Sequence, residues 1–144
     1  MQVSLKRAYQ KASPADGTRV LVERLWPRGV SKRAAKLRAW LKEVAPSHAL
    51  RQWFHAHPGQ WLAFRKRYLA ELSAPAASQA LETLYEMAHG GRTLTLVFAS
   101  RDQEHNNAVV LKQLLDGMRK PPSSSGPKGA ATAGRVRARA VRRR

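Results

Sequence analysis

The chain contains no cysteine, which excludes disulfides, thiolate nucleophiles and Cys-based metal sites. That absence suits a reducing compartment, and a cytoplasmic protein is expected. Long apolar runs are missing as well. Stretches such as Leu94–Ala99 are far too short to span a bilayer. Met1–Tyr9 alternates polar and apolar residues and lacks the continuous apolar centre of a signal peptide, so no membrane partner is expected. Acidic residues are scarce: 9 Asp and Glu stand against 27 Lys and Arg, for a net charge of +18. Residues 121–144 hold seven of the basic groups (Lys128, Arg135, Arg137, Arg139, Arg142, Arg143, Arg144) and no acid. The remainder keeps 20 basic against 9 acidic residues and a net charge of +11. Such a field attracts anions of any kind without selecting among them; a solvated arginine-rich surface is the plainer account of it.

At 144 residues, 43% of them apolar, the chain has room for one domain with a real core. After Lys120 the composition turns abruptly to Pro, Ser, Gly, Ala and Arg. A single α/β domain over residues 1–120 and a disordered basic tail over 121–144 are therefore expected.

Apolar residues at alternate positions make Val3–Ala8 a first strand. The turn signal Ser13-Pro14-Ala15-Asp16-Gly17 separates it from a second strand, Thr18–Leu25, with Val20-Leu21-Val22 at its buried centre. Trp26-Pro27-Arg28-Gly29 ends that strand. Ser31 then caps a helix with Leu37, Trp40, Leu41 and Val44 on one face, stopped by Pro46. Ser47 caps a shorter helix carrying Leu50, Trp53 and Phe54. Pro58 opens a helix with Trp61, Phe64, Tyr68, Leu69 and Leu72 inward, and Pro75 opens another that stops at Gly90-Gly91. Thr93–Ala99 is the strongest strand, apolar on both faces as a covered central strand must be. Asp102 is placed to cap the last helix, whose stripe is Val110, Leu111, Leu114, Leu115 and Met118. The resulting fold class is α/β, a small mainly parallel sheet of about three strands covered by helices, with a helical insert between the second and third. The direction of the first strand stays open.

In open parallel sheets ligands bind outside the carboxyl ends of the strands. Two polar segments leave the sheet there, Glu23–Gly29 and Ser100–Asn107. Arg24, Arg28 and Arg101 offer bidentate donors for a carboxylate or phosphate, reinforced by a helix N-terminus. His105, with Glu23 or Asp102, has the chemistry of a general acid–base pair; equally, Asp102 serves as a cap and His105 as a tether for the turn. Asn106 and Asn107 hydrogen-bond either a ligand or a neighbouring loop, Glu23 can pair with Arg24 or Arg28, and Trp26 is core or lid. His55 and His57, two residues apart, do not share a helix face, so no metal site is expected. No glycine-rich phosphate loop or nucleophile elbow is present, and no cofactor is expected. Trp40, Trp53 and Trp61 read as core.

These segments also carry a resemblance. The run from Asp16 through Gly29, then Trp40-Leu41-Lys42-Glu43-Val44-Ala45-Pro46-Ser47, Trp53-Phe54, Phe64, Tyr68 and Glu104–Leu111 resemble the YeaO-like bacterial proteins, within a larger family of domains of unknown function. The likeness covers about residues 2 to 117. It implies an α/β fold and signature residues at the two loops above, and no activity. Two departures stand out. Ala56-His57-Pro58 replaces a His-Asp-Pro pattern, and Asn106-Asn107-Ala108 lies where the wider family carries Cys-His-Arg, which removes any thiol-dependent role.

The expectation that follows is a small anionic ligand, a phosphate- or carboxylate-bearing metabolite or nucleotide, held at the strand-end cleft, with hydrolysis as one outcome. The alternatives are a basic protein that contacts nucleic acid through residues 121–144, and a protein-interaction module built on the aromatic helical insert.

Overall fold

The apolar segment around Leu96 becomes the strand that its two-sided hydrophobicity demands. In the computed structural model, which describes residues 1–118, four strands form one sheet: β1 (Val3–Arg7), β2 (Thr18–Leu21), β3 (Ala39–Trp40) and β4 (Leu94–Phe98). Their order is β1-β4-β2-β3 and every pairing is parallel. The first strand thus runs with β4, and all four carboxyl ends share one edge. The expected tail over 121–144, with its nucleic-acid contact, lies outside the described residues. No helix among the described residues is long and apolar enough to cross a membrane.

The two faces of the sheet are covered differently. Leu94, Leu96 and Phe98 of β4 join Val3, Val20 and Val22 beneath α2 (His48–Ala56), α3 (Trp61–Glu71), α4 (Pro75–Ala88) and α5 (Asn107–Gly117). Phe64, Tyr68, Leu84 and Leu111 fill that layer, each large side chain contributing about 1.5–3 kcal/mol by leaving water. On the other face Val97 and Leu21 meet Ala8, Trp26, Val30, Leu37 and Trp40. The cover there is the irregular chain between β2 and β3.

That chain departs from the expected helix over residues 31–45. The capped helix is only α1 (Lys32–Ala35), ended by Lys36 in the left-handed region at φ 48°. The backbone then runs along the open edge of β2, where Arg38 N–H donates to the Arg19 carbonyl and Leu41 N–H to the Leu21 carbonyl. Unpaired groups on a strand edge are costly to leave beside a core. Pairing them outweighs the helical periodicity and adds a fourth strand to the three expected. Trp26 and Trp40 pack edge to face at 5.4 Å over this side, so Trp26 belongs to the second layer, half-buried. Pro58 likewise does not open a helix. It sits in the turn before α3, which starts at Trp61 after Gln60, whereas Pro75 occupies the first turn of α4 as expected.

The second face also buries charge. Asp16 receives Lys6 Nζ at 3.0 Å and Arg19 Nη1 at 2.8 Å, while Arg19 Nε donates to the Ala35 carbonyl and Thr95 Oγ1 to the Asp16 carbonyl. Burial pushes the Asp16 carboxyl up, but hydrogen bonds from Ser13, Lys6 and Arg19 outweigh it and hold the group below its ordinary range. This cluster fixes the entry to β2 at Gly17, whose φ of 65° and ψ of −126° suit only glycine. A Cβ there would stand 2.3 Å from the Thr93 carbonyl oxygen, whereas one at Gly29 would meet nothing within 4 Å. Gly17→Ala is expected to cost more than about 2 kcal/mol and Gly29→Ala about 1 kcal/mol in urea denaturation; equal costs would contradict this account of the β2 entry.

Candidate functional site

Beyond Leu21 and Phe98 the ladder between β2 and β4 gives way, and side chains from distant segments take over its hydrogen bonds. Asn107 Nδ2 donates to the Val22 carbonyl at 2.7 Å and Trp40 Nε1 to the Glu23 carbonyl at 2.6 Å. Glu23 Oε2 accepts the Ala99 N–H at 3.0 Å, while Oε1 faces Arg51 Nη1 at 3.5 Å. Glu23 is only 4% exposed. Burial pushes its carboxyl above the ordinary value, and the Ala99 N–H and the Arg51 guanidinium only partly offset that.

The segment 44–47 is clamped from three sides. Arg24 donates from Nη2 to the Ala45 carbonyl at 2.9 Å and from Nε to the Pro46 carbonyl at 3.2 Å. The Tyr68 hydroxyl donates to the Val44 carbonyl. Glu71 accepts both the Ser47 N–H and its hydroxyl, and the Ser47 oxygen caps α2 by accepting the Leu50 N–H. The clamp fixes the direction of α2. Residues three and four apart share a helix face, so His48, Arg51, Gln52 and His55 form one polar stripe while Leu50 is buried behind it.

The loop after β4 is organised just as locally. Arg7 donates to the Ser100 and Ala99 carbonyls. Asp102 Oδ1 accepts the N–H groups of Glu104 and His105, each at 2.9 Å, and these bonds hold its carboxyl below the ordinary range. Asp102 does not cap the last helix. Asn106 does, its Oδ1 accepting the Val109 N–H at 3.0 Å and its Nδ2 donating to the Asp102 carbonyl. The loop is longer than the sequence pattern suggests, and an Asn immediately before Asn107 is as good a cap as Asp. His105 therefore precedes the helix. Its ring lies 4.9 Å from Trp61, and its Nδ1 stands 3.5 Å from Asp102 Oδ2.

Between these parts lies a cleft of about 210 Å³. Glu23 and Asn107 line it together with Phe54, Phe64, Pro46 and Pro58. Arg51, His55, Ser100, Asp102, His105 and Asn106 complete its lining. A second depression adjoins it, lined by Tyr9, Leu25, Trp26, Pro27, Arg28, His48 and Gln52, and it shares Arg51 and His55 with the first. Glu23, Asp102, His105, Asn106 and Asn107 are thus gathered at one cleft. The three arginines named from the sequence do not converge there. Arg24 serves the clamp, Arg28 is exposed at the second depression, and exposed Arg101 lines neither. The cation beside Glu23 is Arg51, not Arg24 or Arg28. Arg51 and His55 were legible as a polar i, i+4 pair on an otherwise amphipathic helix. Among the described residues no group of three His, Asp or Glu side chains is placed to hold a metal ion.

Because the folded state holds the Glu23 carboxyl above its ordinary value of 4.5, its ionisation opposes folding increasingly as pH rises from 4.5 through the raised value. Glu23→Gln keeps an acceptor for Ala99 N–H without the charge. Its melting temperature should therefore match the parent near pH 4 and equal or exceed it at pH 7. A variant less stable at pH 7 than at pH 4, relative to the parent, would reverse the assigned direction.

Comparison with known proteins places the chain in a defined group. A family model described as the inactive DUF488-N3 subclade matches residues 2–128. The uncharacterised protein Rv3073c of Mycobacterium tuberculosis (strain ATCC 25618 / H37Rv) is 40% identical over 116 residues, covering 81% of this chain and 95% of its own. The uncharacterised protein YeaO of Escherichia coli (strain K12) is 39% identical over 115 residues, covering 80% and 97%. No solved structure matches the chain. With its matched segments built into the strand exits and the clamp behind them, the chain belongs to the YeaO-like proteins of unknown function, in the inactive DUF488-N3 subclade.

Proposed function

We propose that the strand-end cleft binds a small ligand carrying an anionic group, such as a nucleotide or a phosphorylated or carboxylated metabolite, and does not turn it over. The observation that carries this reading is Arg51. It stands at the cleft with its side chain 34% exposed and is tied to Glu23 only at 3.5 Å, so its guanidinium keeps donors for a second anion. His55 and His105 add donors around it. Phe54, stacked on the buried Phe64, and Pro58 supply apolar walls for the body of the ligand.

Binding is favoured over hydrolysis because both carboxylates already serve the fold. Glu23 accepts a backbone N–H and faces a guanidinium, and Asp102 accepts two backbone N–H groups in its own turn. The subclade's description as inactive points the same way.

A panel of phosphates, nucleotides and carboxylates tests the proposal by thermal denaturation. At least one class should raise the melting temperature, by roughly 5–10 °C at a hundredfold excess over Kd. Arg51→Ala should abolish the rise, whereas Arg101→Ala should keep it. A panel without any shift, or a shift that survives Arg51→Ala, would leave the cleft without this role.

A further inference from the structure

We infer that the cleft and the depression beside it form one continuous track for single-stranded nucleic acid, with an unstacked base in the cleft, the following phosphate on Arg51, and the next nucleoside against Tyr9 and Trp26. The inference rests on the anionic-ligand reading and narrows it to a polymer. Three observations carry it.

First, the two depressions are not independent. They share Arg51 and His55, which stand on the same face of α2 one turn apart. A cation shared by two adjoining hollows lies where a phosphodiester must lie if each hollow takes a nucleoside. Second, both hollows have flat walls. Phe54, backed by the buried Phe64, and Pro58 line one; Tyr9, Trp26 and Pro27 line the other, with Tyr9 49% exposed. Aromatic faces on either side of a basic ridge are the arrangement on which successive bases of a single strand stack, and stacking tolerates any base. Third, the charge is graded along the track. Arg28 and His48 line the second depression, while the first contains the buried carboxylate of Glu23. A carboxylate repels a phosphate but accepts a hydrogen bond from the amino group of a base. The polarity of the track thus orients the ligand, base toward Glu23 and phosphate toward Arg51. A phosphopeptide or a free metabolite would leave the aromatic half unused, and a duplex could not place a base in the cleft without unpairing it.

Fluorescence anisotropy on the full chain separates this inference from the reading beneath it, using labelled octadeoxycytidylate and the single nucleotide deoxycytidine monophosphate as its unlabelled competitor. The octamer is expected to bind at least about tenfold more tightly than the mononucleotide, one further stacked base being sufficient for that factor. Tyr9→Ala and Arg28→Ala, both at exposed positions, should each weaken the octamer severalfold, and Arg101→Ala should not. If the mononucleotide binds and the octamer binds no more tightly, the track falls while the small-ligand site stands. If neither binds, the track falls, while the small-ligand site is decided by the other phosphates and carboxylates of the thermal panel. If the octamer binds tightly but ignores Tyr9→Ala and Arg28→Ala, its affinity traces to charge elsewhere, including the basic residues 121–144, and the track is overturned.

Discussion

Where β2 and β4 part, Glu23 accepts the Ala99 N–H from the bottom of a cleft, and the cost of burying that carboxylate shapes everything around it. An isolated carboxylate cannot stay ionised away from water unless donors surround it. Here one donor is a backbone N–H of the neighbouring strand exit and the other is Arg51, brought by a helix that starts 25 residues later. The same exit has its two adjacent carbonyls, Val22 and Glu23, taken by Asn107 and Trp40. Trp40, Arg51, Ala99 and Asn107 therefore meet at two consecutive residues, Val22 and Glu23. The hollow exists because side chains, rather than a further strand, satisfy the groups at which the sheet opens.

The clamp on segment 44–47 is the second requirement. Arg51 can face Glu23 only if α2 points along the sheet edge, and α2 takes its direction from Ser47, held by Glu71, and from carbonyls held by Arg24 and Tyr68. Burial pushes the Tyr68 phenol well above its ordinary range, reinforced by the nearby negative charges of Glu23 and Glu71, so the hydroxyl stays a donor at any physiological pH. On the opposite face the Lys6–Asp16–Arg19 group plays a similar part for the entry to β2. Both ends of β2 are thus pinned by charge-assisted hydrogen bonds, and its middle by hydrophobic packing.

Much of this was readable from the residues. The two-sided apolar pattern of Leu94–Phe98 identified the central strand, the Pro75 and Ser47 signals placed helix starts, and the parallel connection put Glu23 and His105 at the same edge. What could not be read is instructive. The helical spacing of Leu37, Trp40, Leu41 and Val44 is real, but it lost to the open edge of β2, a demand visible only once the sheet is assembled. Asp102 and Asn106 are both good caps, and local pattern cannot say which one a helix will use when the loop before it is folded on itself. The arginines nearest the strand ends in sequence were the natural candidates for an anion. Arg24, however, points to carbonyls, and the cation at the cleft comes from a helix whose orientation only the clamp determines.

That substitution of one arginine for another changes the chemistry offered to a ligand. Three converging guanidiniums would have made a hollow attractive to any small anion, with little to choose between phosphate, sulfate and carboxylate. A single guanidinium above a buried carboxylate does something different. A bare anion that reaches the floor meets Glu23 and is repelled; one that stays at the rim gains Arg51 but leaves the apolar walls and the floor acceptor unused. Only a molecule with two unlike ends satisfies both, an anionic group for the rim and a neutral, flat, hydrogen-bond-donating body for the floor. The proposed selectivity follows from the change of sign between Arg51 at the rim and the buried Glu23 behind it, because an anionic end placed at Glu23 meets a like charge. On the proposed reading, the excess positive charge of the chain draws anions to the surface, and the carboxylate at the bottom of the cleft selects among them.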